Sequence, residues 1–250
     1  MNGNALPAPH RDPAGRTVGW WRMLRIAALL LAATLSPAAW TQPTRRAVAT
    51  QVCLTAMRTL PRFALLSGLL SLVLVHIVVV TAQSYGLTQF ALGTVIRVLV
   101  VELLPLAAAL FIALSGSLAG TPPVDDEEAP DGAAGIPRAL LAQVVARAVA
   151  VVALATLAGG IALALAYLGV YGFTPWGVAG FTRTVGQVFD PIVLMALGLK
   201  TGLFAAAVAT IPAACDADGA RAGDPTLHGT VRLFAVLVAV EILSLVVEFF

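Results

Sequence analysis

The chain has 250 residues, of which 59% are hydrophobic and 11% are charged, and its mean hydropathy is +0.92. This composition excludes a soluble domain, which carries about 25% charged residues, and a disordered chain, which combines low hydrophobicity with high charge. The formal net charge of +2 argues against nucleic-acid binding, because such proteins need a basic face that follows the phosphates. The apolar residues form long blocks, so the sequence predicts an all-α integral membrane protein.

The N-terminal region precedes the long apolar blocks. Residues 1–19 are polar and rich in proline, and they are predicted to form a disordered tail. Residues 20–40 combine tryptophans, arginines and a short apolar run, which allows an interfacial helix, a short span or a cleaved signal peptide. We favour the interfacial helix, because the run is short for a span and cleavage would leave the following arginines outside the cytoplasm. Residues 44–62 predict a second surface helix, so residues 20–62 form an interfacial, elbow-like region.

Five apolar segments follow, each long enough to cross a hydrocarbon core of roughly 30 Å, which takes about 20 helical residues. They make residues 63–250 a transmembrane domain whose spans lie at about residues 63–83, 94–118, 139–170, 188–213 and 231–250. The sequence therefore predicts an N-terminal interfacial helix followed by five transmembrane helices.

Basic residues orient these spans. Eight arginines precede the first span, whereas residues 84–93 carry no charge and residues 171–187 carry only Arg183. Because basic residues concentrate on the cytoplasmic side, the N-terminus and the loops at 119–137 and 214–230 are expected in the cytoplasm. Five spans then put the C-terminus on the opposite side.

The sequence contains no pattern typical of metal or nucleotide chemistry. Its three histidines and two cysteines form no cluster with metal-ligand spacing, so no metal site is predicted. The segment around Lys200 lacks the spacing of a phosphate-binding loop, and no catalytic constellation supports an enzyme acting on lipid. We therefore expect the chain to bind no cofactor and to catalyse no reaction itself.

Five short motifs, in order along the chain, carry a resemblance to a known family. They are Gln51 with Arg58-Thr59-Leu60-Pro61, Val101-Glu102-Leu103-Leu104-Pro105, Ser115-Gly116-Ser117-Leu118-Ala119, Lys200-Thr201-Gly202-Leu203-Phe204, and Glu241 in the last span. With the five spans, these motifs make the chain from about residue 45 onward resemble the Mla-type (MlaE/YrbE-like) permease subunits of lipid-transporting ABC systems.

The resemblance implies an MlaE-like permease fold and a role in lipid transport. The chain would be the membrane-spanning subunit of a homodimer in a bacterial inner membrane, with its C-terminus in the periplasm. It would move phospholipid-like molecules between that membrane and a periplasmic carrier. Its implied partners are an ABC ATPase that uses the ATP, an MCE-domain substrate-binding protein, membrane lipid and, in many systems, a small cytoplasmic regulatory subunit.

Departures from the family pattern leave a second function open. The family has a coupling helix that docks on the ATPase, whereas residues 119–137 here are acidic and rich in proline and glycine, a poor composition for a helix. Only Arg138 and Arg147 resemble the coupling pattern that follows, and Val101 replaces an arginine of the second span. The alternative is a diverged membrane scaffold or accessory subunit that has lost ATPase coupling and does not transport lipid.

Ionisable residues within spans are costly unless they are paired or face water, so they are the candidate substrate-binding residues. Glu102 and Lys200 lie at mid-span, and the resemblance points to both. They either line a lipid cavity, where Lys200 meets an anionic headgroup and Glu102 holds it when the cavity is empty, or form an ion pair that only orients two helices. Arg97 either substitutes for the family's arginine or reaches the outer headgroups by snorkelling.

Four further residues are predicted to have structural roles. Glu241 is expected to pair with a polar group on a neighbouring helix, and Pro105 to kink the second span. Gly198 and Gly202 lie four residues apart around Lys200, so another helix could approach closely there, as in the packing of a homodimer.

Overall fold

The computed structural model describes residues 13–36, 42–86, 88–119, 138–219 and 225–249. Within these ranges the chain is helical and contains no strand. In chain order the elements are α1 (Pro13–Leu35), α2 (Gln42–Ser84), α3 (Thr88–Val95), a π-helical segment (Ile96–Leu103), α4 (Leu104–Ala119), α5 (Arg138–Tyr171), a 3-10 turn (Pro175–Gly177), α6 (Val178–Val188), α7 (Pro191–Gly219) and α8 (Pro225–Phe249). Most of the predicted tail, and residues 120–137 of the predicted acidic loop, lie outside the described residues.

Five helical stretches are long and apolar enough to cross a membrane: Thr44–Ser84, Leu92–Ser115, Leu140–Tyr171, Pro191–Ala214 and Gly229–Val246. This architecture agrees with the prediction of an all-α membrane protein with five spanning segments. α1 contains a shorter apolar stretch, Leu24–Thr34, and packs against α7 and α5. The interfacial position of residues 20–40 and the MlaE-like fold stay predictions.

The first two helices differ from the predicted boundaries. α1 begins at Pro13, inside the predicted disordered tail, because proline suits the first turn of a helix. α2 continues without a break from the predicted surface helix into the first span, with Pro61 in its interior. Proline removes one hydrogen bond of an α-helix, but buried residues on either side, Thr59 and Phe63, hold the chain against the bundle.

A short amphipathic helix, α6, lies in the predicted connection between the third and fourth spans. Gly172, with a φ of 63°, adopts the left-handed conformation that glycine tolerates and lets the chain turn away at the end of α5. On α6, Phe181, Val185 and Val188 pack against the core at the spacing of one helical face, while Arg183 is exposed. α6 therefore covers part of the bundle beside α3 and the π-helical segment.

α5 is the central helix of the bundle and contacts α1, α2, α4 and α7. Gly68 of α2 lies against Ile161, and Gly169 lies against Val75 of α2, so α2 and α5 run parallel. The buried face of α5 carries small residues that let neighbouring helices approach closely; these are Ala150, Ala158, Ala162 and Ala166.

The second span contains a π-helical segment where the sequence predicts only a proline kink. The N–H of Leu104 donates to the carbonyl of Leu99, five residues earlier. Pro105 follows at once; in an α-helix its ring would clash with the carbonyl four residues before it, and it has no N–H to donate. A turn bonded to the residue five back accommodates the proline, so this segment ends just before Pro105.

Candidate functional site

Three ionisable residues from three different spans meet inside the bundle. Lys200 lies on α7, Glu241 on α8 and Glu102 in the π-helical segment. The Lys200 ammonium donates hydrogen bonds to Oε2 of Glu102 and, over 3.0 Å, to Oε1 of Glu241. We call these three residues the buried ion triad. It joins parts of the chain that are 98 and 41 residues apart in sequence.

The side chains of the buried ion triad are shielded by the helices around them. Their exposed fractions are 3% for Lys200, 15% for Glu102 and 18% for Glu241. Each residue also lies within one of the stretches long enough to cross a membrane. In a bilayer the three charges would therefore lie at hydrocarbon depth, where an ionisable group must be paired or must face water.

Helical periodicity explains why α7 and α8 aim their charges inward. Lys200 is followed at four-residue intervals by Phe204 and Val208, which are both buried. On α8, Leu233 and Leu237 precede Glu241 at the same spacing and are buried too. Residues four apart share one face of a helix, so the apolar residues that pack α7 against α8 also bring the two charges together.

The charges of the buried ion triad do not balance one another. A protonated lysine carries one positive charge and three donors, and an ionised carboxylate is only an acceptor. Two carboxylates share the single ammonium, and Oε2 of Glu241 is buried with no hydrogen-bond partner. With all three groups ionised, the triad would carry a formal charge of −1.

The predicted residues Glu102 and Lys200 are thus in direct contact, and Glu241 pairs with Lys200 on the neighbouring helix, as expected of a structural partner. Arg97 is exposed on the same π-helical segment as Glu102. A lipid-binding role and a purely structural role both stay predictions for these residues.

The predicted structural residues lie on different elements. Pro105 is fully buried in the second span. No described atom lies within 4 Å of where a Cβ would stand on Gly198 or Gly202, and Leu199 between them is 68% exposed. Within the described residues, this face of α7 is therefore not covered by another helix of the same chain. Packing of this face against a second copy stays a prediction.

The two arginines assigned to coupling lie on α5. Arg138 is the first residue of α5, and its side chain lies outside the described part of the structure. Arg147 is half-buried and lies nine residues further along. Since the acidic loop before Arg138 is also outside the described residues, the coupling role of both arginines stays a prediction.

Sequence reasoning missed two features of the site. The first is the π-helical segment that carries Glu102, for which Pro105 was the available signal. The second is that Glu241 shares Lys200 with Glu102, because nothing in the sequence fixes how α8 is rotated against α7. No group of three His, Cys, Asp or Glu residues that could hold a metal ion occurs in the part of the chain that the structure describes.

Comparisons with known proteins give no family for this chain. No protein-family model matches it, and neither the curated proteins nor the solved structures gave a match.

Proposed function

We propose that this chain is the membrane-spanning permease subunit of an ABC-type lipid transport system in a bacterial inner membrane. It would move phospholipid-like molecules between that membrane and a periplasmic carrier as a homodimer. A separate ATPase would hydrolyse ATP, an MCE-domain protein would carry the substrate, and a small cytoplasmic subunit would regulate the complex. The chain itself would bind lipid, bind no cofactor and make no covalent bond.

The buried ion triad is the observation that carries this proposal. The motif resemblance selects Glu102, Lys200 and Glu241 from three separate spans, and these same three side chains are in contact. Ionisable residues inside spans need partners, and the three that the resemblance selects are partners of one another. The contacts therefore agree with the resemblance and support one site at this position.

Lys200 is the group in this cluster that could recognise a phospholipid. Its ammonium has three donors, of which the two carboxylates accept two hydrogen bonds. An anionic headgroup would compete with the carboxylates for the ammonium, and Glu102 and Glu241 would hold Lys200 when no lipid is bound. Charge-assisted bonds of this kind are about twice as strong as neutral ones.

We expect the chain, purified in a mild detergent, to bring with it an ABC ATPase and bound phospholipid. The uncharged triple variant Glu102→Gln/Lys200→Met/Glu241→Gln should retain about tenfold less phospholipid, because one hydrogen bond to a charged group contributes about 1.5–3 kcal/mol. Lipid is measured by mass spectrometry of the purified protein. Arg183→Gln, which removes an exposed arginine of α6, is the matched control and should keep the parent's lipid content.

The pairing of Lys200 with two carboxylates favours a second candidate function. An ammonium already paired on two sides suits a diverged scaffold or accessory subunit in which the triad only joins three helices. This candidate expects no co-purifying ATPase and an unchanged lipid content in the triple variant. That pair of results would contradict the permease proposal.

The proposed orientation in the membrane can be tested separately. With the N-terminus in the cytoplasm, the positive-inside rule and five spans lead us to expect a periplasmic end after α8. A phosphatase that is active only in the periplasm should be active when fused after Phe250 and inactive when inserted within residues 120–137. The reverse pattern would overturn this orientation, and immunoblots of both fusions provide the control for expression.

A further inference from the structure

We infer that the turn between α5 and α6, residues 172–177, is a lipid anchor whose side chains Phe173 and Trp176 insert into the interfacial layer of a phospholipid bilayer. We call these six residues the aromatic turn. Its partner is the layer where the headgroups meet the acyl chains, at the end of the bundle where α2 and α5 finish. The anchor does not depend on the proposed function, because it needs only a chain that spans a bilayer.

The exposure of the aromatic turn is the first observation. Among the residues that the structure describes, Phe173 and Trp176 are the most exposed large hydrophobic side chains, at 94% and 92%. Both follow directly after the stretch Leu140–Tyr171, which is long enough to cross a membrane. Burying one aromatic side chain removes about 150–250 Å² of surface from water, so two such rings left in water would forgo a large hydrophobic gain.

Contacts behind the aromatic turn hold its shape. Gly172 has a left-handed φ of 63°, and its N–H donates to the carbonyl of Leu168 over 3.0 Å. The hydroxyl of Thr174 donates to the carbonyl of Tyr171 over 2.7 Å. A Cβ on Gly177 would lie 2.5 Å from Cδ1 of the same tyrosine, so only glycine allows this approach. The two exposed rings therefore extend from a closely packed turn.

The neighbouring aromatic rings pack inward. The ring centroids of Tyr167 and Tyr171 lie 5.6 Å apart, and Tyr167 meets Phe181 of α6 edge to face at 5.3 Å. Such ring pairs are favourable beyond the area that they bury. This three-ring cluster joins α5 to α6 and leaves the two rings of the aromatic turn on the outside.

The depth of the aromatic turn favours lipid as its partner. Gly169 of α5 lies against Val75 of α2, and the two helices are parallel. Two residues of α5 follow Gly169, up to Tyr171, whereas nine residues of α2 follow Val75, up to Ser84. α5 therefore ends about 10 Å before α2 along the helix axis. Lipid that covers the first span to its end must also reach the level of the aromatic turn.

The residue types agree with this position. Tryptophan and tyrosine are enriched where a membrane meets water, and phenylalanine accompanies tryptophan on the apolar side of interfacial segments. Tyr85, which is 76% exposed, adds a third ring at the end of α2. Residues 167–189 contain one charged residue, Arg183, so insertion of the aromatic turn requires little desolvation of charge.

The anchor would hold α6 in place on the bundle. α6 packs against α3 and the π-helical segment, which carries Glu102 of the buried ion triad. With the aromatic turn fixed in lipid, α6 stays over that segment. Without the two rings, only the inner face of α6 retains it, so we expect α6 to open more often.

The fluorescence of Trp176 tests where the aromatic turn lies. In the full chain, Trp20, Trp21 and Trp40 are replaced with phenylalanine, which leaves Trp176 as the single tryptophan. The protein is reconstituted into phosphatidylcholine vesicles that carry bromine either near the headgroup end or near the methyl end of the acyl chains. We expect several-fold stronger quenching by the first lipid than by the second, and weak quenching by acrylamide in the water.

A second tryptophan position calibrates this measurement. Leu72 is 53% exposed and lies twelve residues, or about 18 Å, before the end of α2. Leu72→Trp, in a chain whose other tryptophans are phenylalanine, should be quenched most by the methyl-end bromines. If the single-tryptophan chain does not fold, the difference between the parent and Trp176→Phe provides the same signal.

Three results would overturn the inference. Quenching of Trp176 by acrylamide and by neither lipid would put the aromatic turn in water. Protection from all three quenchers would mean that a protein partner or a second copy covers it. Stronger quenching by the methyl-end bromines would put it in the hydrocarbon core. Failure to recover an ATPase, with headgroup-end quenching intact, would instead contradict only the proposed function.

Hydrogen exchange tests whether the aromatic turn anchors α6. In the same phosphatidylcholine vesicles, the amides of Val178–Val188 should exchange several-fold faster in Phe173→Ser/Trp176→Ser than in the parent, as measured by mass spectrometry. The amides of α5 in the same samples are the internal control and should exchange equally in both proteins. Equal protection of α6 in the two proteins would overturn the anchoring role.

Discussion

Replacing Lys200 with methionine is expected to lower the free energy of unfolding by about 3–5 kcal/mol, the usual cost of removing one partner from a buried ion pair. Methionine preserves most of the volume of the side chain but leaves Glu102 and Glu241 without their shared ammonium. The two carboxylates would then repel each other within the spans, where charges are costly. The measurement is the thermal unfolding of the purified protein in detergent, followed by circular dichroism.

The uncharged triple variant Glu102→Gln/Lys200→Met/Glu241→Gln separates lost charge from lost packing. Replacing all members of a buried ionic cluster by uncharged residues of similar size is often neutral for stability, so we expect it to recover most of the loss. Arg183→Met, at an exposed position on α6, is the control and should change stability little. If the triple variant is as unstable as Lys200→Met alone, the loss comes from side-chain packing and not from unpaired charge.

The second large effect is expected at the contact between α2 and α5. A Cβ atom on Gly169 would lie 2.6 Å from Cγ1 of Val75, which is 2% exposed and belongs to a β-branched, rotationally restricted side chain. Gly169→Leu should therefore lower the free energy of unfolding by about 1–3 kcal/mol, the usual cost of overpacking a core. The change in the free energy of unfolding is measured by thermal unfolding in the same detergent.

Gly160 is the matched control for this substitution. It lies on the same helix, is exposed, and has no atom within 4 Å of where a Cβ would stand. Gly160→Leu adds the same side chain where space is open, so its midpoint of unfolding should stay at or above that of the parent. Equal losses for the two leucine variants would contradict the close parallel contact of α2 and α5.

Hydrophobicity and the cost of buried charge were enough to predict the main architecture. Long apolar runs must become helices in a bilayer because their backbone groups need internal hydrogen bonds. The five apolar runs of this sequence therefore predicted five spanning helices. The ionisable residues Glu102 and Lys200 had to find partners for the same energetic reason, and they contact each other. Glu241 was predicted to pair with a neighbouring helix, and its partner is Lys200.

The features that could not be predicted depend on packing between distant segments. Apolar residues surround most of each span, so composition does not reveal which face of α8 turns toward α7. The parallel contact of α2 with α5 depends on single small residues such as Gly169, whose importance appears only when Val75 is opposite. In the segment that contains Glu102, the backbone N–H groups bond to the carbonyl five residues back instead of four. A search for regular helical periodicity in the sequence does not detect this change.

The length of α2 gives the protein a mechanical property. At 1.5 Å per residue, its 43 residues extend over roughly 65 Å, about twice the thickness of the hydrocarbon core. The whole of α2 therefore exceeds the thickness of the hydrocarbon core, and the part that bears exposed arginines, residues 42–62, is continuous with the first span. α2 packs along α5, and α5 contacts α7. A movement of residues 42–62 would therefore be transmitted through helix contacts to α7, which carries Lys200.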